Sequence, residues 1–125
     1  MHDRIRAGAD REKLQLRVRT GIRSDLVLAA VQRMEEKMER GETVAEIARR
    51  LGVSVWKLER AFQADVQLGA GAYFRRMRLE RASDLLQHSS LPAHEIGLAC
   101  GYSDYSAFVR AFRRAYRKTP GQLRR

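Results

Sequence analysis

One face of a short predicted helix carries an aromatic ring, an acid and a guanidinium group. Trp56, Glu59 and Arg60 fall together there by three- and four-residue spacing. Leu58 and Phe62 mark the opposite, buried side of the same helix. In the major groove of DNA, an arginine can donate two hydrogen bonds to guanine, a glutamate can accept one from the cytosine amine, and an aromatic ring can pack on thymine methyl groups. An exposed tryptophan is costly surface unless something binds it, so we expect this face to contact DNA bases.

The alternative for this face is ordinary surface, with Trp56 folded over a neighbouring helix and both charges solvated. A repeat within the chain argues against that alternative. Residues 45–54 read AEIARRLGVS, and residues 94–103 read HEIGLACGYS. Further on, LERAF at 58–62 matches FVRAF at 108–112, with one extra residue between turn and helix in the second copy. Each copy reads as helix, glycine turn and helix, which is the pattern of a helix-turn-helix unit.

The second copy presents an outward face of its own. Ser106 and Arg110 align with Trp56 and Arg60, while Tyr105 leans toward the core by angle but could still reach a groove wall. We therefore predict base reading by Trp56, Glu59, Arg60, Ser106 and Arg110, and Tyr105 stays open between a core position and a groove contact. Around these faces we predict phosphate contacts from Ser54, Lys57, Gln63, Ser103, Arg113, Arg117 and Thr119.

The charge balance also favours an acidic partner. The 125 residues include 25 Lys and Arg against 15 Asp and Glu, which gives a net charge of +10. Nucleic acid is the expected partner, because neutralised phosphates release condensed counterions and so drive binding of any sequence. Simple solubility or an anionic membrane would also account for a basic surface, so charge by itself does not decide.

Residues that could support catalysis or metal binding are not grouped in the sequence. His2, His88 and His94 show no metal-ligand spacing with one another or with Cys100, and no glycine loop for phosphate is present. We expect no enzyme activity, no cofactor and no metal, and Cys100 is expected to be a small core residue. Because no apolar run approaches the length of a membrane span and residues 1–10 lack a secretory signal, we expect a cytoplasmic, nucleoid-associated protein without membrane contact.

Helical periods and capping signals organise the chain, and no segment alternates as a strand does. In the first half of the chain, helices are predicted from Ser24 to Gly41, from a capping box of Thr43 and Glu46 to Gly52, and from beyond Ser54 to about Asp65. Further helices are predicted from Tyr73 to His88, from Pro92 to about Cys100 and from Asp104 to Tyr116. A last turn begins at Thr119 and Pro120. The predicted fold is all-α and homeodomain-like, with about seven helices forming two helix-turn-helix subdomains joined by a long linker helix.

The same patterns suggest the domain boundaries. Residues 1–23 show no sustained period, so we predict a mobile basic linker or arm there. Residues 24–125 form the predicted DNA-binding domain, with a first subdomain at 24–68, the linker helix at 72–88 and a second subdomain at 91–125. The linker helix would be roughly 24 Å long. Since major-groove faces recur every 34–36 Å or so along B-DNA, one chain could read two successive grooves without dimerising.

Over about residues 24–125, the chain resembles the DNA-binding domain of the AraC/XylS family. The resemblance is carried by Glu46, Ile47, Ala48, Gly52, Ser54, Leu58, Arg60, Phe62, Tyr73, Arg78, Leu79, Ala82, Ile96, Ala99, Cys100, Gly101, Tyr102, Ser103, Phe108, Arg110, Phe112 and Pro120. It implies a transcription regulator that binds asymmetric promoter DNA, often as an activator that touches RNA polymerase. It also implies base contact by Trp56, Glu59, Arg60, Tyr105, Ser106 and Arg110. It implies further a monomeric DNA-binding unit whose dimerisation would need a separate domain.

Three departures from the family pattern affect the ends of helices. Gln67, Gly69 and Ala70 stand where the family has glycine and then serine-proline, so the start of the linker helix is expected to differ. Arg117 stands where a glycine is usual, and Pro92 replaces the customary capping serine or threonine. Two other functions remain open from the sequence: a protein-interaction module that binds RNA polymerase or a partner regulator with secondary DNA affinity, and a non-specific architectural binder.

Overall fold

The computed structural model describes the backbone of residues 2–125 and the side chains of residues 8–125. Within these residues every regular element is a helix and there is no strand, which confirms the all-α prediction. The helices are α1 (His2–Thr20), α2 (Asp25–Glu36), a short 3₁₀ turn (Met38–Arg40), α3 (Val44–Arg50), α4 (Val55–Val66), α5 (Ala70–His88), α6 (Ala93–Ala99), α7 (Tyr105–Tyr116) and α8 (Pro120–Arg124). Among the described residues, no helix is both long and apolar enough to cross a bilayer.

Helix α1 covers most of the predicted arm, although the sequence shows no sustained helical period over residues 1–23. Its sequence is mostly charged and carries no apolar stripe, yet Leu16 is buried and the Arg17 guanidinium lies 2.6 Å from the Asp25 carboxylate. The helix ends where Gly21, with φ of 75°, donates its N–H to the Arg17 carbonyl. A few contacts near its C-terminus therefore hold the helix where periodicity gave no signal. Met1 and the side chains of residues 2–7 lie outside the described residues, and a mobile linker role for the arm stays a prediction.

The chain divides into two compact units, the first made of residues 1–33 and 44–70. Its core contains Ile22, Val27, Ile47, Leu58 and Phe62, all buried. The predicted helix start at Ser24 is present, since its hydroxyl accepts the Val27 N–H at 3.2 Å. The Asp65 carboxylate, near the end of α4, also accepts the N–H groups of Arg23 and Ser24. These hydrogen bonds fix α4 in the first unit.

The second unit contains residues 34–43 and 71–125, which corrects one predicted boundary. The sequence groups residues 34–43 with the first subdomain, but their backbone packs on the turn at Gly101. A Cβ on Gly101 would lie 3.1 Å from the Gly41 Cα and still closer to the Met38 carbonyl oxygen. Arg78 of α5 also donates to the Glu42 carbonyl at 3.3 Å. These are backbone contacts between residues far apart in sequence, which helical periodicity does not encode.

Aromatic side chains form the centre of the second unit. The ring centroid of Phe108 lies 5.4 Å from that of Tyr102 and 5.7 Å from that of Phe112, whose ring is 4.7 Å from Tyr116. Arg124 of α8 donates to backbone carbonyls at the end of α5, including that of Leu86 at 3.1 Å. Helices α5, α7 and α8 are thereby held in one packed unit.

Candidate nucleic-acid interface

Helix α4 presents the first predicted base-reading face. The Ser54 hydroxyl caps its N-terminus by accepting the Lys57 N–H at 3.0 Å, and Leu58 and Phe62 are fully buried beneath it. Burial of these two residues turns the other side of the helix outward. Trp56 is 67% exposed, so it does not fold over a neighbouring helix. The alternative of a covered tryptophan is therefore excluded.

Trp56 and Arg60 form a stacked pair on that face. The guanidinium carbon of Arg60 lies 4.8 Å from the centroid of the Trp56 ring. Such a cation–π contact contributes about 0.5–1 kcal/mol at an exposed site. This contact restricts the motion of the exposed arginine, which lowers the entropy lost when its donors bind a planar acceptor such as a guanine edge.

Glu59 lies differently from these two residues. One oxygen of its half-buried carboxylate accepts the Ala70 N–H at 3.0 Å, at the start of α5. The first N–H groups of a helix have no partner within it, so a carboxylate placed there is stabilising. This contact explains why α5 begins at Ala70, earlier than the predicted residue 72. The predicted cytosine contact of Glu59 has to compete with this capping role.

Helix α7 presents the second predicted face. The Asp104 carboxylate caps it by accepting the Ala107 N–H at 2.7 Å, and Phe108 and Phe112 are fully buried. Ser106 and Arg110 are exposed on the other side, as their alignment with α4 predicts. Tyr105 is 45% exposed while its ring centroid lies 6.2 Å from that of Phe108. It is therefore divided between the core and the outer face.

The predicted phosphate-contacting residues fall into two groups. The hydroxyls of Ser54 and Thr119 are helix caps, since Thr119 accepts the Gln122 N–H at 3.1 Å and completes a capping box. Each hydroxyl keeps its own hydrogen for a phosphate oxygen. The other five are exposed: Lys57, Gln63, Ser103, Arg113 and Arg117.

Arginines of α7 line an open groove of about 480 Å³. Its lining residues are Arg110, Arg113, Arg114 and Arg117, with no acid among them. Arg117 holds its place at the end of α7 with φ of 62°, a conformation that usually selects glycine. The groove is suited to an anion, because each guanidinium offers a pair of donors that matches phosphate oxygens.

Sequence reasoning missed one basic residue near this surface. Arg75 of α5 lines a second groove together with Arg110 and Arg114, whereas the sequence treats α5 as a spacer. The available signal was the density of arginines on this helix, with Arg76 adjacent and Arg78 one residue beyond Met77.

Cys100 is a core residue, as its apolar context predicts. Its side chain is fully buried, and burial raises the pKa of the thiol to about 11. The thiol is protonated at neutral pH, so it is not a nucleophile there. Among the described residues, no three His, Cys, Asp or Glu side chains are grouped in a way that could hold a metal ion.

Comparisons with known proteins agree with this geometry. The family described as "Helix-turn-helix domain" matches residues 30–125. The chain is 34% identical over 122 residues to the HTH-type transcriptional regulator ArgR of Pseudomonas aeruginosa, an alignment that covers 98% of this chain and 37% of that protein. The chain thus spans little more than a third of the length of such curated relatives.

Solved structures share the fold. A transcriptional regulator from Chromobacterium violaceum, described by its AraC-type DNA-binding domain, is 35% identical with a TM-score of 0.70, and the match covers 79% of this chain and 88% of that one. The C-terminal domain of AraT, a response regulator from Geobacillus stearothermophilus, is 29% identical with a TM-score of 0.77, covering 81% and 84% of the two chains. Sequence and fold therefore lead to the same family.

Proposed function

This chain belongs to the AraC-type family of helix-turn-helix DNA-binding domains, which act in transcription regulation, and we propose that it reads an asymmetric promoter site with α4 and α7. The observation that carries this proposal is the exposed Trp56 and Arg60 stack on α4. An exposed indole with an arginine held over it provides both an apolar contact for thymine methyl groups and a fixed donor for guanine. Ser106 and Arg110 occupy the matching positions on α7.

The two helices are proposed to enter successive major grooves. Helix α5 has 19 residues, which corresponds to roughly 28 Å of connector. Major-groove faces recur every 34–36 Å or so on one side of B-DNA, so a connector of this order suits two readers in one chain. A monomeric DNA-binding unit follows from the same proposal, and its place of action would be the nucleoid in the bacterial cytoplasm.

Activation through RNA polymerase belongs to the proposal as a second step. Leu98 of α6 is 53% exposed and lies outside both base-reading faces. We propose that such a protein partner contacts Leu98. The competing function, a protein-interaction module with only secondary DNA affinity, would use the same surface without any preference among DNA sequences.

Selection of duplexes from a random pool by the purified chain, followed by binding titrations, tests the proposal. We expect the selected duplex to bind at least about 10³-fold more tightly than a scrambled duplex of the same length. A protein-interaction module or an architectural binder would give similar affinities and similar salt dependence for both duplexes.

Single substitutions then test the residue assignments. Arg60→Ala and Arg110→Ala should each cost about 1–3 kcal/mol on the selected duplex and relax preference at one or two base pairs. Lys57→Ala is the matched control on α4, because loss of a phosphate contact should weaken selected and scrambled duplexes alike. Full retention of sequence preference by both arginine variants would contradict the assignment of α4 and α7 as readers.

A further inference from the structure

We propose that the linker helix itself binds DNA: Arg75 of α5 and Arg114 of α7 form a site for one phosphate of the DNA backbone, beside the proposed base reader Arg110. The proposal rests on the DNA-binding function above. It adds a contact that neither the repeat nor the outward faces of the two helix-turn-helix units predict. It also gives α5 a role beyond that of a spacer.

A defined groove within the second unit carries the inference. Its volume is about 250 Å³, and three arginines line it together with Leu79 and short alanine side chains of α7. Ala107 and Ala111 leave the floor of the groove low and apolar, which gives the aliphatic stems of the arginines a surface to lie on. The guanidinium groups can then gather around a ligand without occupying the groove themselves.

The electrostatics of this groove call for an anion. No acidic residue is among those that line it. Like charges brought together repel one another, and this cost is removed when a bound anion accepts hydrogen bonds from them. A phosphate suits such a site, because its oxygens match the paired donors of a guanidinium.

Arg75 also differs from its neighbours on α5. Arg76 lies 3.7 Å from the Glu80 carboxylate and 5.3 Å from the centroid of the Tyr73 ring. Arg78 lies 4.0 Å from the centroid of the Phe74 ring and donates to the Glu42 carbonyl. Arg75 has neither an ion pair nor a hydrogen bond to any side chain that the structure describes. Its donors are therefore available to a ligand.

The position of the groove favours a DNA phosphate over an acidic protein segment. Arg110 and Arg114 line both this groove and the larger one that continues along α7 to Arg117. The positive surface is thus continuous from the outer face of the proposed reading helix to α5. A duplex that brings a base edge to Arg110 brings its own backbone to the same surface.

The salt dependence of binding tests the site. The probes are the duplex selected by the wild-type chain and a scrambled duplex of equal length, titrated by fluorescence anisotropy between 50 and 200 mM KCl. Each lost phosphate contact should reduce the slope of log K against log[KCl] by about 0.9. When KCl rises from 50 to 200 mM, the affinity of Arg75→Ala should therefore fall by a factor about threefold smaller than the affinity of the wild type does. This difference should be the same on both duplexes.

Matched variants separate a phosphate contact from other effects. Arg76→Ala removes the same charge from the adjacent residue outside the groove and should leave the slope near that of the wild type. Arg75→Gln removes the charge but keeps most of the side-chain length, so it should repeat the loss of slope even if Arg75→Ala fails to fold. Arg75→Lys should keep the slope. The ratio of affinities for the two duplexes should stay unchanged in all four variants.

Wild-type slope and affinity in Arg75→Ala or Arg75→Gln would overturn the inference and leave the groove to an acidic segment of a protein. An equal loss in Arg76→Ala would also overturn it, because the effect would then be general charge. A wild-type chain that binds both duplexes equally would defeat the proposed sequence reading, while the comparison of slopes would still decide the Arg75 site. A wild-type chain that binds neither duplex would defeat both.

Discussion

The two helix-turn-helix copies share their turn geometry but not the surroundings of the turn. Gly52 and Gly101 occupy equivalent positions, and both have left-handed backbone, with φ of 72° and 92°. A Cβ on Gly52 would meet no atom within 4 Å, whereas one on Gly101 would clash with the Met38 carbonyl oxygen and press on Gly41. The two turns therefore have the same local conformation, but only the second is packed against residues 38–41, which precede α3.

The largest difference between the copies should appear when each turn glycine is replaced by alanine. Gly52→Ala carries only the cost of a left-handed non-glycine residue, about 1–2 kcal/mol. Gly101→Ala adds steric overlap against backbone, which costs roughly 1–3 kcal/mol more. Urea unfolding followed by far-UV circular dichroism should show a clearly larger loss of unfolding free energy for Gly101→Ala. Equal losses would mean that the segment at 38–41 moves away freely.

A second difference lies where the two helices of each copy cross. The first copy has Ala48 and Leu58 at the buried positions where the second has Gly97 and Phe108. A Cβ on Gly97 would lie 2.8 Å from Cδ2 and 3.0 Å from Cγ of Phe108. In the second copy the smaller residue Gly97 on α6 thus faces the larger residue Phe108 on α7. We interpret the two differences from the first copy as compensating changes in side-chain volume.

Gly97→Ala should destabilise the chain by about 1–3 kcal/mol, because the added methyl group meets an aromatic ring rather than a flexible side chain. Phe108→Leu alone should also destabilise it, through the space left in the core. The double variant restores the combination found in the first copy. We expect its loss to fall short of the sum of the two single losses by about 0.5–3 kcal/mol in urea unfolding. Strictly additive losses would show that the two positions do not share one contact.

The parts of the structure predicted from sequence are those set by local periodicity. The buried sides of α4 and α7 follow from the spacing of Leu58 with Phe62 and of Phe108 with Phe112, and those residues are fully buried. The exposure of Trp56 follows from the same periodicity. Capping chemistry is equally local, which is why the helix start at Ser24 was predictable.

The parts that were not predicted depend on contacts between distant residues. Glu59 reaches the Ala70 N–H, across eleven residues and the break between α4 and α5. The docking of residues 34–43 on Gly101 is a backbone contact without an apolar signal. Helix α1 lacks an amphipathic stripe, and Leu16 is its buried apolar residue among the described side chains. In each case the contact is made by a single side chain or by backbone atoms. Such contacts produce no periodic pattern of apolar residues in the sequence.

The smallest expected effect concerns the end of each proposed reading helix. Helix α4 ends at Gln67 with φ of 58°, and α7 ends at Arg117 with φ of 62°. Glycine at either position would remove about 1–2 kcal/mol of left-handed strain from the folded state. It would also raise the conformational entropy of the unfolded chain, which offsets part of this stabilisation. Gln67→Gly and Arg117→Gly should therefore each raise the free energy of unfolding modestly, by about 0.5–1 kcal/mol.

DNA binding should separate these two stabilised variants. Gln67 lies outside the arginine groove, so Gln67→Gly should keep the wild-type salt dependence, whereas Arg117→Gly removes a guanidinium that lines it. We expect Arg117→Gly to reduce the slope of log K against log[KCl] by about 0.9 while it melts above the wild type. If Arg117→Gly is more stable than the wild type but binds DNA more weakly, the strained backbone at Arg117 is tolerated because its guanidinium contacts DNA. An unchanged slope would reduce Arg117 to a helix cap and confine the phosphate surface of α7 to the residues before it.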